Sequence, residues 1–158
     1  MVVLPFLALS CLAEVNPGQA APACTFSPMR PGNVRGLDQL HGKVIYIDFW
    51  ASWCGPCAQS FPFMNVLQKD LGGQGLQVIG VNLDERPDDA VGFIEKTPAN
   101  FTLVSDKDGQ CAQEYGVKAM PSSYVIDRHG VLRYIHLGFK SGEAADFRKQ
   151  VEALLAEP

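Results

Sequence analysis

The feature that most constrains this chain is the apolar run Val44-Ile45-Tyr46-Ile47-Asp48-Phe49-Trp50, followed three residues later by Cys54-Gly55-Pro56-Cys57. Apolar residues that run without alternation predict a strand covered on both faces, as in a parallel or mixed sheet flanked by helices. Gly55 permits and Pro56 enforces a tight turn, so the two sulfurs can close a small ring. A strand leading through a turn into a helix places Cys54 at a helix N-terminus, where unpaired N–H groups and the helix dipole stabilise a thiolate. At such a site a thiol pKa of about 8.5 falls to roughly 3.5–7.5. The other use of Cys-x-x-Cys, half of a zinc site, needs a second Cys or His pair at suitable spacing, and the chain offers none. His41, His129 and His136 are scattered and read as solvated or structural histidines, so no metal is expected.

Asp48 is the exception within the apolar run. A carboxylate there must pair, stay partly hydrated or take up a proton, because desolvation raises its pKa. With 158 residues, 47% of them hydrophobic, the chain can build one domain with a proper core. A net charge of −4 gives no basic footprint, which argues against nucleic acid or an acidic membrane surface as partner.

Residues 1–13 are mostly apolar, and residues 14–23 are rich in small residues, Pro and Gly. The apolar run is shorter than the about 20 residues that cross a bilayer, so residues 1–21 are read as a secretory leader or its remnant and 22–158 as the folded domain. No Lys or Arg precedes the apolar part, and lipid attachment at Cys11 is the lesser reading. Removing the leader leaves Cys24, Cys54, Cys57 and Cys111. An exported setting leaves a Cys24–Cys111 bridge open, but free cysteine is commonly a small buried hydrophobe, and both are read here as unpaired core residues.

After Cys57, the residues Phe61, Met64, Val66, Leu67 and Leu71 fit one helical face, with Pro62 expected to kink the helix and Gly72, Gly73 and Gly75 to end it. A second apolar strand runs over residues 76–83, with Asp84 and Glu85 at its carboxyl end, the rim where open α/β sheets build sites. A helix follows from Asp88 to Lys96, then a short strand near 101–104 and a helical segment from Gln110 to Tyr115. Residues 123–126 and 131–137 read as strands joined by a turn at 127–130, and a helix over 142–155 closes the chain. Gly72-Gly73-Gln74-Gly75 lacks the spacing of a phosphate loop, and no cofactor is expected beyond a redox-active Cys54–Cys57 disulfide.

The segment from Asp48 to Cys57 resembles the active-site segment of the thioredoxin superfamily. Met120-Pro121-Ser122-Ser123-Tyr124-Val125-Ile126-Asp127 resembles its cis-proline segment, and Gly80-Val81-Asn82-Leu83-Asp84-Glu85 its extracytoplasmic TlpA/ResA/CcmG (DsbE) branch. The resemblance runs from about Pro22 to Leu155. It implies an α/β, thioredoxin-like fold: a central mixed sheet flanked by helices, with an N-terminal strand extension near residues 21–26 and a helical insertion.

For function, the resemblance implies a thiol–disulfide oxidoreductase in which Cys54 attacks and Cys57 resolves. Asp48 and Glu85 are the implied proton acceptors. Trp53, Gly55, Pro56, Met120 and Pro121 form the implied substrate face, with a cis bond before Pro121. Gly80 departs from thioredoxin, which carries a lysine nearby. Clients would be disulfide- or thiol-containing exported proteins such as apocytochrome c, with electrons from a membrane donor of the DsbD/CcdA type. The protein would be an extracytoplasmic, periplasmic monomer, with N-terminal membrane anchorage left open. A disulfide donor or isomerase and a non-enzymatic chaperone or binding module are the competing readings.

Overall fold

The computed structural model describes residues 15–158. Six strands form one sheet in the order β1-β4-β3-β2-β5-β6. They are β1 (Ser27–Pro28), β2 (Val44–Trp50), β3 (Leu76–Asn82), β4 (Thr102–Ser105), β5 (Ser122–Ile126) and β6 (Leu132–Leu137). The helices are α1 (Gly55–Leu71), α2 (Pro87–Lys96), α3 (Gln110–Glu114) and α4 (Ala144–Ala156). β2, β3 and β4 run parallel, whereas β1, β5 and β6 join antiparallel, so the sheet is mixed as expected.

The unbroken apolar run of β2 has a direct cause: each face of the strand meets a different half of the core. Val44, Tyr46 and Trp50 pack with Cys54, Cys57, Phe61, Met64 and Leu67 on the α1 side. Ile45, Ile47 and Phe49 pack with Cys24, Val104, Cys111, Tyr115 and Tyr124 on the other. Asp48 therefore lies on the α1 face, between Tyr46 and Trp50, and is fully buried. Gly80 pairs with Asp48 in the β2–β3 ladder, and a Cβ there would meet Phe101 at 2.9 Å, Leu103 at 3.1 Å and the Trp50 Nε1 at 3.2 Å. Only glycine fits that close approach.

Two expectations change. The N-terminal edge strand lies later than residues 21–26: β1 is Ser27–Pro28, and in the earlier stretch only Thr25 bridges, to Gly36. Cys24 and Cys111 are not free core cysteines but a disulfide, with Cα atoms 5.4 Å apart and a sequence separation of 87. The bridge fastens the segment before β1 to α3, an approach that the fold creates and residue spacing does not reveal. Pro62 lies inside α1.

Residues 1–14 of the expected leader lie outside the described residues. Residues 15–21 are held by the domain: Val15 is buried, Ala20 bridges Val131, and the Gly18 N–H donates to the Leu132 carbonyl at 2.7 Å. Among the described residues, no helix is long and apolar enough to cross a membrane.

Candidate active site

The end of β2, the loop after it and the start of α1 build the site. The chain leaves Trp50 through Ala51, Ser52 and Trp53, and Cys54 caps α1 in an extended conformation with φ −89° and ψ 99°. Pro56 stands in the first turn, where its missing N–H costs nothing, and no side chain caps this helix start. The Cys57 N–H reaches back to the Cys54 carbonyl at 3.2 Å, and the two sulfurs are bonded. Cys57 is fully buried, Cys54 is 4% exposed, and Trp53 beside them is 74% exposed. Gly55 and Pro56 are exposed on the same rim.

The start of β5 lies beside the end of β2, with Ser122 across from Phe49. The Met120–Pro121 peptide bond is cis, Met120 is half-buried, and the Pro121 carbonyl accepts from the Gly138 N–H at 2.8 Å. The Ser122 hydroxyl donates to the Ala119 carbonyl at 2.7 Å and closes the loop ahead of Pro121.

Asp48 lies on the α1 face of β2, the side against which the dithiol packs. Its Oδ1 accepts from the Ser123 hydroxyl at 2.6 Å, while Oδ2 is buried without a hydrogen-bond partner. Burial pushes its pKa up from 3.8 to about 7, partly opposed by the Ser123 hydrogen bond. An acid of that strength can take up or release a proton near neutral pH.

The structure does not bring Glu85 into this buried network. Glu85 is exposed and makes no hydrogen bond or ion pair with a described residue, whereas the preceding Asp84 is buried. The Asp84 carboxylate accepts from the Ser52 N–H at 2.9 Å, the Ser52 hydroxyl at 2.8 Å and the Asn82 side-chain amide at 2.7 Å. That grip ties the loop carrying Cys54 to the end of β3. It turns Asp84 inward and leaves the next side chain at the rim. Sequence reasoning missed Asp84, Tyr46 and Ser123. The strand period alone places Tyr46 on the face of Asp48, but Ser123 reaches it only through the β2–β5 register.

A mixed sheet of this order, with a Cys-Gly-Pro-Cys dithiol at the head of α1 and a cis-proline at the start of β5, defines a thioredoxin-superfamily thiol–disulfide oxidoreductase. The chain belongs to the Redoxin family, whose model matches residues 16–154. It is 30% identical over 137 residues to the thiol-disulfide oxidoreductase ResA of Geobacillus thermodenitrificans, covering 87% of this chain and 77% of that protein. It is 34% identical over 127 residues to the thioredoxin-like protein YneN of Bacillus subtilis, covering 78% and 73%. A Chlorobium tepidum structure described as a thiol:disulfide interchange protein DsbE superposes with a TM-score of 0.86 at 41% identity, covering 90% of this chain and all of that one. The chain is thus ResA-like, with thiol-containing proteins as its substrate class.

Proposed function

We propose that this protein reduces disulfides of exported proteins, with Cys54 as nucleophile, Cys57 as resolving thiol and Asp48 as the proton acceptor between them. The observation that carries the reading is the uncapped start of α1 at Cys54, with Cys57 buried behind it on the face that also holds Asp48. In the first step the Cys54 thiolate attacks one sulfur of a client disulfide, and the other client sulfur leaves as a thiolate. Next, Cys57 passes its proton to ionised Asp48 and attacks the Cys54 sulfur, which releases the second client thiolate. Two electrons pass from the enzyme to the client, and the Cys54–Cys57 disulfide remains.

The client's extended backbone lies along Met120 and Pro121, between Trp53 and the loop before β5, in a strand-addition mode that reads few side chains. Glu85 is exposed, so Asp48 carries the proton step and Glu85 is left at the client-facing rim. The buried Cys24–Cys111 disulfide supports an extracytoplasmic setting, since such bonds persist in oxidising compartments. There the protein needs electrons from a membrane donor of the DsbD/CcdA type, and apocytochrome c is a fitting client for a monomer of this kind.

The test is Cys57→Ser, which traps a Cys54-linked mixed disulfide with clients in extracts lacking reductant. Absence of any such adduct contradicts this order of attack. Net oxidation of reduced test proteins by the wild type would assign the same chemistry to a disulfide donor instead.

A further inference from the structure

Asp48 receives one hydrogen bond, and its source is itself part of a chain. The Ser123 hydroxyl donates to Asp48 Oδ1 at 2.6 Å and accepts from the Tyr46 hydroxyl at 3.0 Å, all three side chains being buried. Tyr46 stands two residues before Asp48 on the same face of β2, and Ser123 lies directly across the β2–β5 ladder from Asp48. Both hydroxyl protons therefore point along one line toward the carboxylate.

The rest of its surroundings offers no substitute. Gly80, the neighbour on β3, leaves no room for any side chain, because Phe101, Leu103 and Trp50 already fill the space. A lysine from that position is sterically excluded. The Trp50 indole N–H is buried on the same face and bonds neither Asp48 nor any other described group. On the α1 side stand Cys54 and Cys57, joined in a disulfide. On β6, His136 lies across from Ser123, with its Nδ1 buried without a partner, its Nε2 2.6 Å from the Gln150 Oε1 and its ring stacked on Phe147. Burial lowers the His136 pKa, partly opposed by the Gln150 hydrogen bond and by the charge of Glu143 at the start of α4, so the imidazole is neutral near neutral pH.

We propose that Tyr46 and Ser123 are positioning residues: a hydroxyl relay that sets the acid strength of Asp48 and holds Oδ1, so that Oδ2 is the oxygen left for proton exchange. The proposal rests on the reading of Asp48 as the proton acceptor for Cys57. In a pocket that burial makes hostile to an anion, the relay is the one source of donated hydrogen bonds to the carboxylate among the described residues. It brings the acid down into the range where it can work, and Tyr46 strengthens the effect by polarising the hydroxyl that Ser123 donates.

The test has two readouts. The first is the titration of the Asp48 carboxyl carbon by carbon-13 NMR in the oxidised protein, where neither active-site sulfur titrates, with Asp48→Asn assigning the signal. The second is the pH profile of the rate at which Cys57 resolves a mixed disulfide on Cys54. Ser123→Ala is expected to raise both midpoints by about 1–2 pH units, the size of a hydrogen bond to a charged group. Tyr46→Phe raises them by less, and Ser123→Thr, which restores the hydroxyl, returns them to the wild-type position. A carboxyl midpoint unchanged in Ser123→Ala overturns the relay. A midpoint that rises while the resolution profile stays put upholds the relay and removes Asp48 from the exchange step, so the two failures are told apart.

Discussion

The described residues carry two disulfides, and burial does not separate them: Cys54 is 4% exposed, Cys24 3% and Cys111 2%. Both also involve a cysteine at the start of a helix. At α1 that start carries no side-chain cap, so its N–H groups and dipole are free to favour a thiolate on Cys54. At α3 the Asp106 carboxylate already takes the N–H groups of Cys111 at 3.2 Å and Ala112 at 2.8 Å. A negative group in that place opposes a thiolate on Cys111 and makes it a poor leaving group. The bridges also close different lengths of chain, with sequence separations of 3 for Cys54–Cys57 and 87 for Cys24–Cys111. The lesson is that reactivity follows what occupies the helix start and how much chain the bond closes, not how deeply the sulfur is buried.

The sharpest way to break this contrast is to remove each pair in turn. Cys54→Ser should abolish turnover of a disulfide substrate while leaving the fold intact by circular dichroism. The double replacement of Cys24 and Cys111 by serine should leave exchange activity in place yet lower unfolding free energy by about 4–5 kcal/mol in the chain-entropy view of a loop this long, measured by urea melts. Activity lost in the second variant under fully folded conditions would erase the division of labour.

Asp48 sharpens the comparison further: the Asp106 carboxylate beside Cys111 accepts from two backbone N–H groups, whereas Asp48 keeps one buried oxygen without a hydrogen-bond partner. Its folded pKa of about 7 exceeds the ordinary 3.8, so the folded state binds the extra proton between those values. Stability then falls as pH rises through that window, by up to about 4 kcal/mol once above it. Asp48→Asn should therefore raise the melting temperature clearly at about pH 8 and little at about pH 4, where the carboxyl is neutral in the folded protein. An equal change at both pH values would contradict a buried neutral acid.

Much of this was legible beforehand. The double-sided burial of β2 follows from its unbroken apolar run, and the Cys-Gly-Pro-Cys turn identifies the dithiol. The Cys24–Cys111 bridge ranks second in the sequence because pairing depends on a distance, and nothing in a linear order of residues places α3 beside the segment before β1. The different burial of Asp84 and Glu85 is hidden for a related reason. Two adjacent acids at a strand end are equivalent in sequence, and only the pairing of Asn82 with Asp84 decides which one turns inward. Ser123 was hidden because its partner lies across a ladder whose register the sequence does not state.

Two smaller effects probe the loops that hold each pair. Asp84→Ala removes the three bonds that fix Ser52 and Asn82, and should cost about 1–3 kcal/mol and slow reaction of reduced Cys54 with an alkylating agent. Asp106→Ala uncaps α3 for about 1 kcal/mol and should make Cys24–Cys111 easier to reduce, while leaving Cys54–Cys57 unmoved.

The most direct test is to trap and quantify each cysteine by mass spectrometry after equilibration of the native protein in a series of glutathione and dithiothreitol buffers. Cys54 and Cys57 should titrate together as one two-electron couple, nearer the about −270 mV of reducing thioredoxins than the about −120 mV of a strong oxidant, while Cys24–Cys111 stays bonded throughout. A Cys54–Cys57 pair that never opens in the folded protein, or two pairs that open together, would contradict the account.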